Sequence, residues 1–337
     1  MFIVLYLAKP EIYKMNCGKK YLFVLSLLCI HITAFSQDTL LNKLDSLGLK
    51  KDSSGKQINN ISPQAYNKKT QLTPRTYFVL LASSLKQEST KPFHMKGKDW
   101  KNFGIFTGGV AALYLMDKPI QREALQLKNR NTSINDISQY ITNAGGIYEG
   151  FTLAGLASYG LIFKRKKVVT TTLLATQAYI TGAAVETVLK FLAGETRPNY
   201  YGADQVASPR FLGPFTKVQR DYNGKKTYSS FPSGHATVAF AAATVFASEY
   251  RDKPAIPIIA YTAASLIGVS RVTENAHWTT DVVVGAALGY LTGKHIVNNY
   301  HRYAKIKAPD QAKNTVSFQL QYNYGHLEPG IIYTFRK

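Results

Sequence analysis

Cysteine is nearly absent. The 337 residues hold two, Cys17 and Cys29, both close to the N-terminus. A chain that loses this leader has no disulfide and no thiolate metal site. Acidic residues are scarce as well, 20 Asp and Glu against 41 Lys and Arg, for a formal charge of +21. The positive charge is spread from end to end and no nucleic-acid motif accompanies it. It points to anionic membrane surfaces or phosphorylated substrates, and away from nucleic acid. Long hydrophobic runs are few. Only Val168–Val185 and Pro254–Ser270 reach, free of charge, the about 17–25 residues that a membrane span needs. Internal repeats and low-complexity blocks are missing too.

What is present divides the chain into four parts. Residues 1–36 read as a signal peptide: Lys19 and Lys20, an apolar run from Tyr21 to Ile30, then Ala34, Phe35 and Ser36 before Gln37. Met15 is an alternative start, and an uncleaved anchor is the alternative reading of the segment. Removing 1–36 leaves +18 (37 against 19), so the basic character belongs to the mature protein. Residues 37–100 are rich in Ser, Asn, Lys and Gln, with Pro63 and Pro74, and read as a flexible lead-in. Within it, Leu40, Leu41, Leu44 and Leu47 fit a short amphipathic turn, and Thr76–Leu85 is apolar but too short to cross a bilayer.

Residues 101–307 are helical in pattern. Charge-free apolar runs lie at Gly104–Met116, Phe151–Phe163, Val168–Val185, His235–Ser248, Pro254–Ser270 and Val282–Gly293, which predicts an all-α domain with a six-helix core. A further amphipathic helix is expected around Ile134–Tyr140. The basic clusters at 164–167, 251–253 and 294–307 fall at helix ends opposite the motif-bearing ends, as in the positive-inside pattern. Integral and soluble versions of the domain both stay open. Residues 313–337 alternate with period two through Val316, Phe318, Leu320, Tyr322 and Tyr324, then Ile331, Tyr333 and Phe335 after Glu328, Pro329 and Gly330. That is a C-terminal β-hairpin pattern.

Three polar clusters punctuate the helical part. Lys190 and Arg197, followed by Pro198, are seven residues apart, nearly two helical turns, so both cations can share one helix face that ends at the proline. Pro232, Ser233, Gly234 and His235 stand where a polar stretch enters an apolar helix. Free backbone N–H groups and an imidazole at a helix start make an anion site, although a plain Ser233 N-cap would give the same pattern. Ser270 and Arg271 precede His277 and Asp281. The last two are spaced so that a carboxylate can hold one ring nitrogen while the other is free to attack. Arg271 is suited to a bidentate contact with an oxyanion. Each cluster alone is as well explained by surface charge or capping.

Together, in this order and with 33 residues between Pro198 and Pro232 and 34 between His235 and Ser270, they resemble the type 2 phosphatidic acid phosphatase family. That superfamily also holds class A acid phosphatases and vanadium haloperoxidases. The resemblance covers about 104–303 and leaves the lead-in and the tail outside. It implies a helical bundle of the phosphatidic acid phosphatase and haloperoxidase type. By the same resemblance His277 is the nucleophile, Asp281 its orienting partner, and His235 the general acid and later base. Lys190, Arg197, Arg271, Ser233 and Gly234 hold the phosphoryl oxygens, and no metal or other cofactor is needed. Vanadate is then an inhibitor, or a cofactor only in a haloperoxidase.

The expected activity is metal-independent hydrolysis of a lipid phosphate or pyrophosphate by an exported, periplasm-facing protein at a membrane. A soluble periplasmic acid phosphatase, a vanadate-dependent haloperoxidase and a non-catalytic envelope protein are the alternatives. Other residues carry weaker signals. His94, His295, His301 and His326 have no partner pattern and read as surface or interfacial. Trp278 reads as packing, or as lining a substrate entrance. Glu195 is placed to pair with either Lys190 or Arg197.

Overall fold

The computed structural model describes Leu44, residues 66–214 and 229–307, and the backbone of 315–323 and 326–334. The segment expected to be a signal peptide, most of the expected lead-in before residue 66 and the ends of the tail lie outside the described residues.

The polypeptide enters through α1 (Pro74–Thr90) and a 3-10 turn (Lys91–His94), then α2 (Gly97–Tyr114), α3 (Asp117–Arg130), α4 (Thr132–Ala144), α5 (Ile147–Ile162) and α6 (Lys166–Ala193). After a long loop come α7 (Gly234–Glu249), α8 (Ala255–Thr273) and α9 (Thr279–Lys307). Each apolar run falls on one of these helices, and the segment around Ile134–Tyr140 lies inside α4. Two antiparallel strands follow, β1 (Thr315–Asn323) and β2 (His326–Thr334), paired from Thr315 opposite Thr334 to Asn323 opposite His326. Pro329 and Gly330 therefore sit within β2, opposite Leu320 and Gln319, and not at the bend.

Helix α7 is the hub, touching α6, α8 and α9. Its sequence explains why. Ala236, Ala239, Ala241, Ala242, Ala243 and Ala247 are all buried, so neighbours close in from several sides. On α9, Gly285, Gly289 and Gly293 recur every fourth residue and face α7. A Cβ added at Gly289 would lie 2.2 Å from Thr237 O, and one at Gly293 would lie 2.5 Å from Ala241 O. Backbone meets backbone there. Gly289→Ala is expected to cost about 1–3 kcal/mol or more through overpacking. A melting temperature in detergent that does not fall would show the contact to be looser than this.

The core continues through Leu174, Ala178, Val245, Ile296 and Tyr300, joined by Leu80 of α1. The end of the segment expected to be a flexible lead-in is thus ordered. Thr73 caps α1 by accepting from Thr76 N at 3.3 Å, Pro74 occupies its first turn, and Tyr66 and Leu72 join the core. Tyr66 Oη donates to Glu249 Oε2, and His301 Nε2 lies 2.7 Å from Glu249 Oε1. His301, expected at a surface or interface, is 2% exposed and pairs with that carboxylate.

Outside this core the surface is unusually apolar. Helix α2 buries none of its residues, and Phe103, Ile105, Phe151, Ile162, Ile258 and Ile259 are all at least half exposed. Helices α6 and α8 are long and apolar enough to cross a membrane, about 42 Å and about 28 Å at 1.5 Å per residue. Only 28% of the apolar window of α8 is buried within the protein, which is less than a soluble core helix requires.

Candidate functional site

Local chain chemistry assembles the site at one end of the bundle. Helix α6 stops at Gly194, which adopts φ +57° and donates its N–H to Lys190 O at 3.0 Å. Only glycine fits, because a Cβ there would also lie 2.5 Å from Gly213 O. Lys190 therefore sits in the last turn of α6, while Arg197 lies in the loop beyond it. The expectation that the two cations share one helix face is corrected: Gly194, and not Pro198, ends the helix. Arg197 Nη2 donates to Ser229 Oγ at 3.3 Å, which ties it to the approach to α7.

Ser233 is the N-cap of α7, its Oγ accepting from Ala236 N at 3.5 Å while its own N–H donates to Asp281 O at 3.0 Å. The capping role and the site role coexist. Gly234 lets α6 approach the helix start: a Cβ would meet Glu186 Oε1 at 2.9 Å and Lys190 Nζ at 3.0 Å. The Gly234 and His235 N–H groups stand at a helix start, where no preceding turn accepts from them. Against His235 packs the turn between α4 and α5, and a Cβ on Gly146 would come within 3.2 Å of His235 Nε2.

His277 lies just before α9 and is 2% exposed. Its Nδ1 is 3.3 Å from Asp281 Oδ2, which also accepts from Ser230 Oγ at 2.5 Å and from Trp278 N at 2.9 Å. The i,i+4 spacing thus spans a helix start, with Asp281 in the first turn. Trp278 is fully buried and its Nε1 donates to Thr196 O at 2.8 Å, so it packs and lines no entrance. Asp117 of α3 holds the start of α9 through Thr280 N at 3.0 Å and Thr280 Oγ1 at 2.5 Å. Arg271, in the last turn of α8, pairs with Glu274 Oε2 at 2.6 Å and donates to Thr142 Oγ1 at 3.3 Å.

Electrostatics bind the groups into one site. Burial, then Arg197, Arg271, Lys190 and His235, hold His277 well below the ordinary imidazole range. Burial, then Arg271, Lys190 and Arg197, bring His235 down to about 4. Both rings are neutral at pH 7, and with Nδ1 turned to Asp281 the other nitrogen of His277 keeps its lone pair. A concentrated positive field with two neutral imidazoles and helix-start N–H donors suits a multiply charged oxyanion. Among the described residues, no three His, Cys, Asp or Glu side chains gather where they could hold a metal ion.

The structure brings the eight residues expected in the site together at one end of the bundle, linked by Ser233 N–H to Asp281 O, by Gly234 against Lys190, and by the field of Lys190, Arg197 and Arg271 on His235 and His277. Sequence reasoning missed Ser230, Thr142, Glu186, Glu274 and Asp117. Ser230 lies two residues before Pro232 and Glu274 lies within the third motif, so proximity alone could have flagged them. Thr142 and Asp117 come from distant helices with no local signal. Glu195 pairs with neither cation; its carboxyl faces Asp281 instead.

Residues 150–305 match the PAP2 superfamily. The chain is 48% identical over 67 residues to a lipid A 1-phosphatase of Porphyromonas gingivalis, covering 20% of this chain and 15% of that protein. It is 30% identical over 158 residues to lipid phosphate phosphatase 1 of Arabidopsis thaliana, covering 39% and 48%. The chain therefore spans less than half the length of either relative. Among solved structures, a transmembrane PAP2-type phosphatidylglycerolphosphate phosphatase from Bacillus subtilis is similar, with a TM-score of 0.43 and 25% identity over 58% of this chain and 91% of that one. All eight residues expected in the site lie within the stretch matched to the PAP2 superfamily, residues 150–305.

Proposed function

We propose that the protein is a metal-independent phosphatase that hydrolyses a lipid phosphate or pyrophosphate monoester through a phosphohistidine. The observation that carries this reading is a buried neutral His277, held by Asp281 and set in the field of Lys190, Arg197 and Arg271 that also acts on His235. The free lone pair of His277 attacks phosphorus while the bond to the leaving oxygen breaks, and His235 supplies that oxygen with a proton. Water then attacks the phosphohistidine, His235 takes its proton, the P–N bond breaks and phosphate leaves. The three cations and the helix-start N–H groups, with Ser233 shaping their turn, balance the charge on the phosphoryl oxygens.

Lipid as substrate is supported by the names of the relatives, by the exposed apolar belt and by α6 and α8. We place the protein at a bacterial membrane, exported and facing the periplasm, with 1–36 as signal peptide and 101–307 as the catalytic domain around a six-helix core, against which the ordered end of the 37–100 lead-in packs. The hairpin of 313–337 is a tail outside it. The test is phosphate release in EDTA from a panel of lipid phosphates and p-nitrophenyl phosphate, with and without vanadate. Turnover in EDTA that vanadate blocks is expected, with a lipid preferred. Activity that EDTA abolishes overturns the mechanism.

A linked prediction concerns protons. His235 is at about 4 in the free site. A bound oxyanion offsets the cations that depress it and raises it, so phosphate or vanadate binding near pH 6 takes up protons. Calorimetry in buffers of different ionisation enthalpy reads the uptake, which should vanish in His235→Ala. Uptake that persists there would assign the proton to another group.

A further inference from the structure

Behind the nucleophile lies a second buried carboxyl that the reaction as proposed does not use. Glu195 is fully buried, directly after the Gly194 cap, and its main chain is fixed by Ser230 N donating to Glu195 O at 3.2 Å and by a bridge to Phe211. Neither of its carboxyl oxygens has a donor, and neither does Asp281 Oδ1, although Asp281 Oδ2 has three. Ser230 holds the two residues side by side, its N–H on Glu195 O and its Oγ 2.5 Å from Asp281 Oδ2, and the two carboxyl groups face each other. Three orphaned oxygens in one buried contact are costly if both groups are ionised, and a single proton between them removes the repulsion and makes a hydrogen bond.

We infer that Glu195 is held protonated and donates its O–H to Asp281 Oδ1, forming a Glu195–Asp281–His277 chain in which Glu195 is a positioning residue for the nucleophile. This rests on the proposed phosphohistidine reaction. The surroundings agree on where the proton sits. Asp281 already accepts from Ser230, Trp278 and His277 and is the better-solvated anion of the two. Asp117 and Tyr114 also face Glu195. Burial, then Asp281 and Asp117, hold the Glu195 carboxyl far above the carboxylate range.

The chain has a chemical consequence. A proton donor on Oδ1 pins the carboxylate plane so that Oδ2 stays on His277 Nδ1. It also draws off part of the negative charge that would otherwise make the ring more basic. The phosphohistidine is then a better leaving group in the second step.

The test compares full-length wild type with Glu195→Gln and Glu195→Leu, with melting temperature and vanadate affinity showing that each variant is folded. Two readouts are used. The first is the infrared carbonyl band of a protonated carboxyl, as wild type minus Glu195→Gln. The second is kcat against KM. The band is expected at neutral pH and to persist into alkaline solution. Glu195→Gln keeps an N–H donor and should turn over within about twofold of wild type. Glu195→Leu leaves Asp281 Oδ1 buried and unpaired and should lose about 10-fold to 100-fold in kcat with KM little changed. No band in the difference, or a Glu195→Gln as impaired as Glu195→Leu, overturns the inference. A wild type that releases no phosphate would sink the proposed activity, while the infrared difference would still decide where the proton lies.

Discussion

Replacing His277 with Ala is expected to lower kcat by about 10⁴-fold or more, because the bond-forming atom is removed and water must attack in its place. In the proposed reaction three features suit the ring to attack: Asp281 Oδ2 at 3.3 Å from Nδ1, burial to 2% exposure, and a positive surround that keeps it neutral. Labelled phosphate quenched from the wild type should remain on the protein, with the acid lability of a phosphoramidate, and should be missing from His277→Ala. Since His277 is buried, the variant needs a fold check. Retained vanadate binding serves, as the cations and the α7 N-terminus remain. A variant that is folded, binds vanadate and still turns over would rule out the phosphohistidine.

His235→Ala is the second large effect, and it depends on the leaving group. For a lipid alkoxide, losing the proton donor should cost about 10²-fold to 10⁴-fold. For p-nitrophenyl phosphate, whose phenolate departs without a proton, the first step should be nearly spared. The second step still lacks its base, so labelled protein should accumulate with that substrate. Equal losses on both substrates, with no accumulation, would remove His235 from acid–base work and leave it a binding residue. The ring lies against the Gly145–Gly146 turn, where a Cβ on Gly146 would crowd Nε2.

The legibility of this protein in its sequence is uneven for physical reasons. The helices were readable because Ala, Gly, Thr and Val runs free of charge admit little else, and α6 and α8 match the two longest runs closely. The site was readable because its chemistry is carried on short stretches: Ser233 to His235 at one helix start, His277 to Asp281 at another. What failed was geometry that depends on a single backbone conformation. The Lys190–Arg197 spacing looks helical until Gly194 turns left-handed and sends Arg197 into a loop. Partnerships between distant segments were also hidden. Nothing near Thr280 announces Asp117, and nothing near Glu249 announces both Tyr66 and His301. The same blindness applied to Glu195, whose nearest charged residues in sequence are the cations Arg197 and Lys190 but whose neighbour in space is an acid.

The glycine contacts between α7 and α9 have a mechanical meaning. His235 is carried by one of these helices, while Asp281 rides on the other and holds the adjoining His277. Between them Gly285, Gly289 and Gly293 leave no side chain to rotate and no void to compress. The two halves of the site therefore move as one stiff plate. Lateral pressure, thickness changes or a shift in acyl-chain composition would be taken up by the loosely covered α2, none of whose residues is buried. Turnover should then be nearly independent of bilayer tension, even where the melting temperature is not.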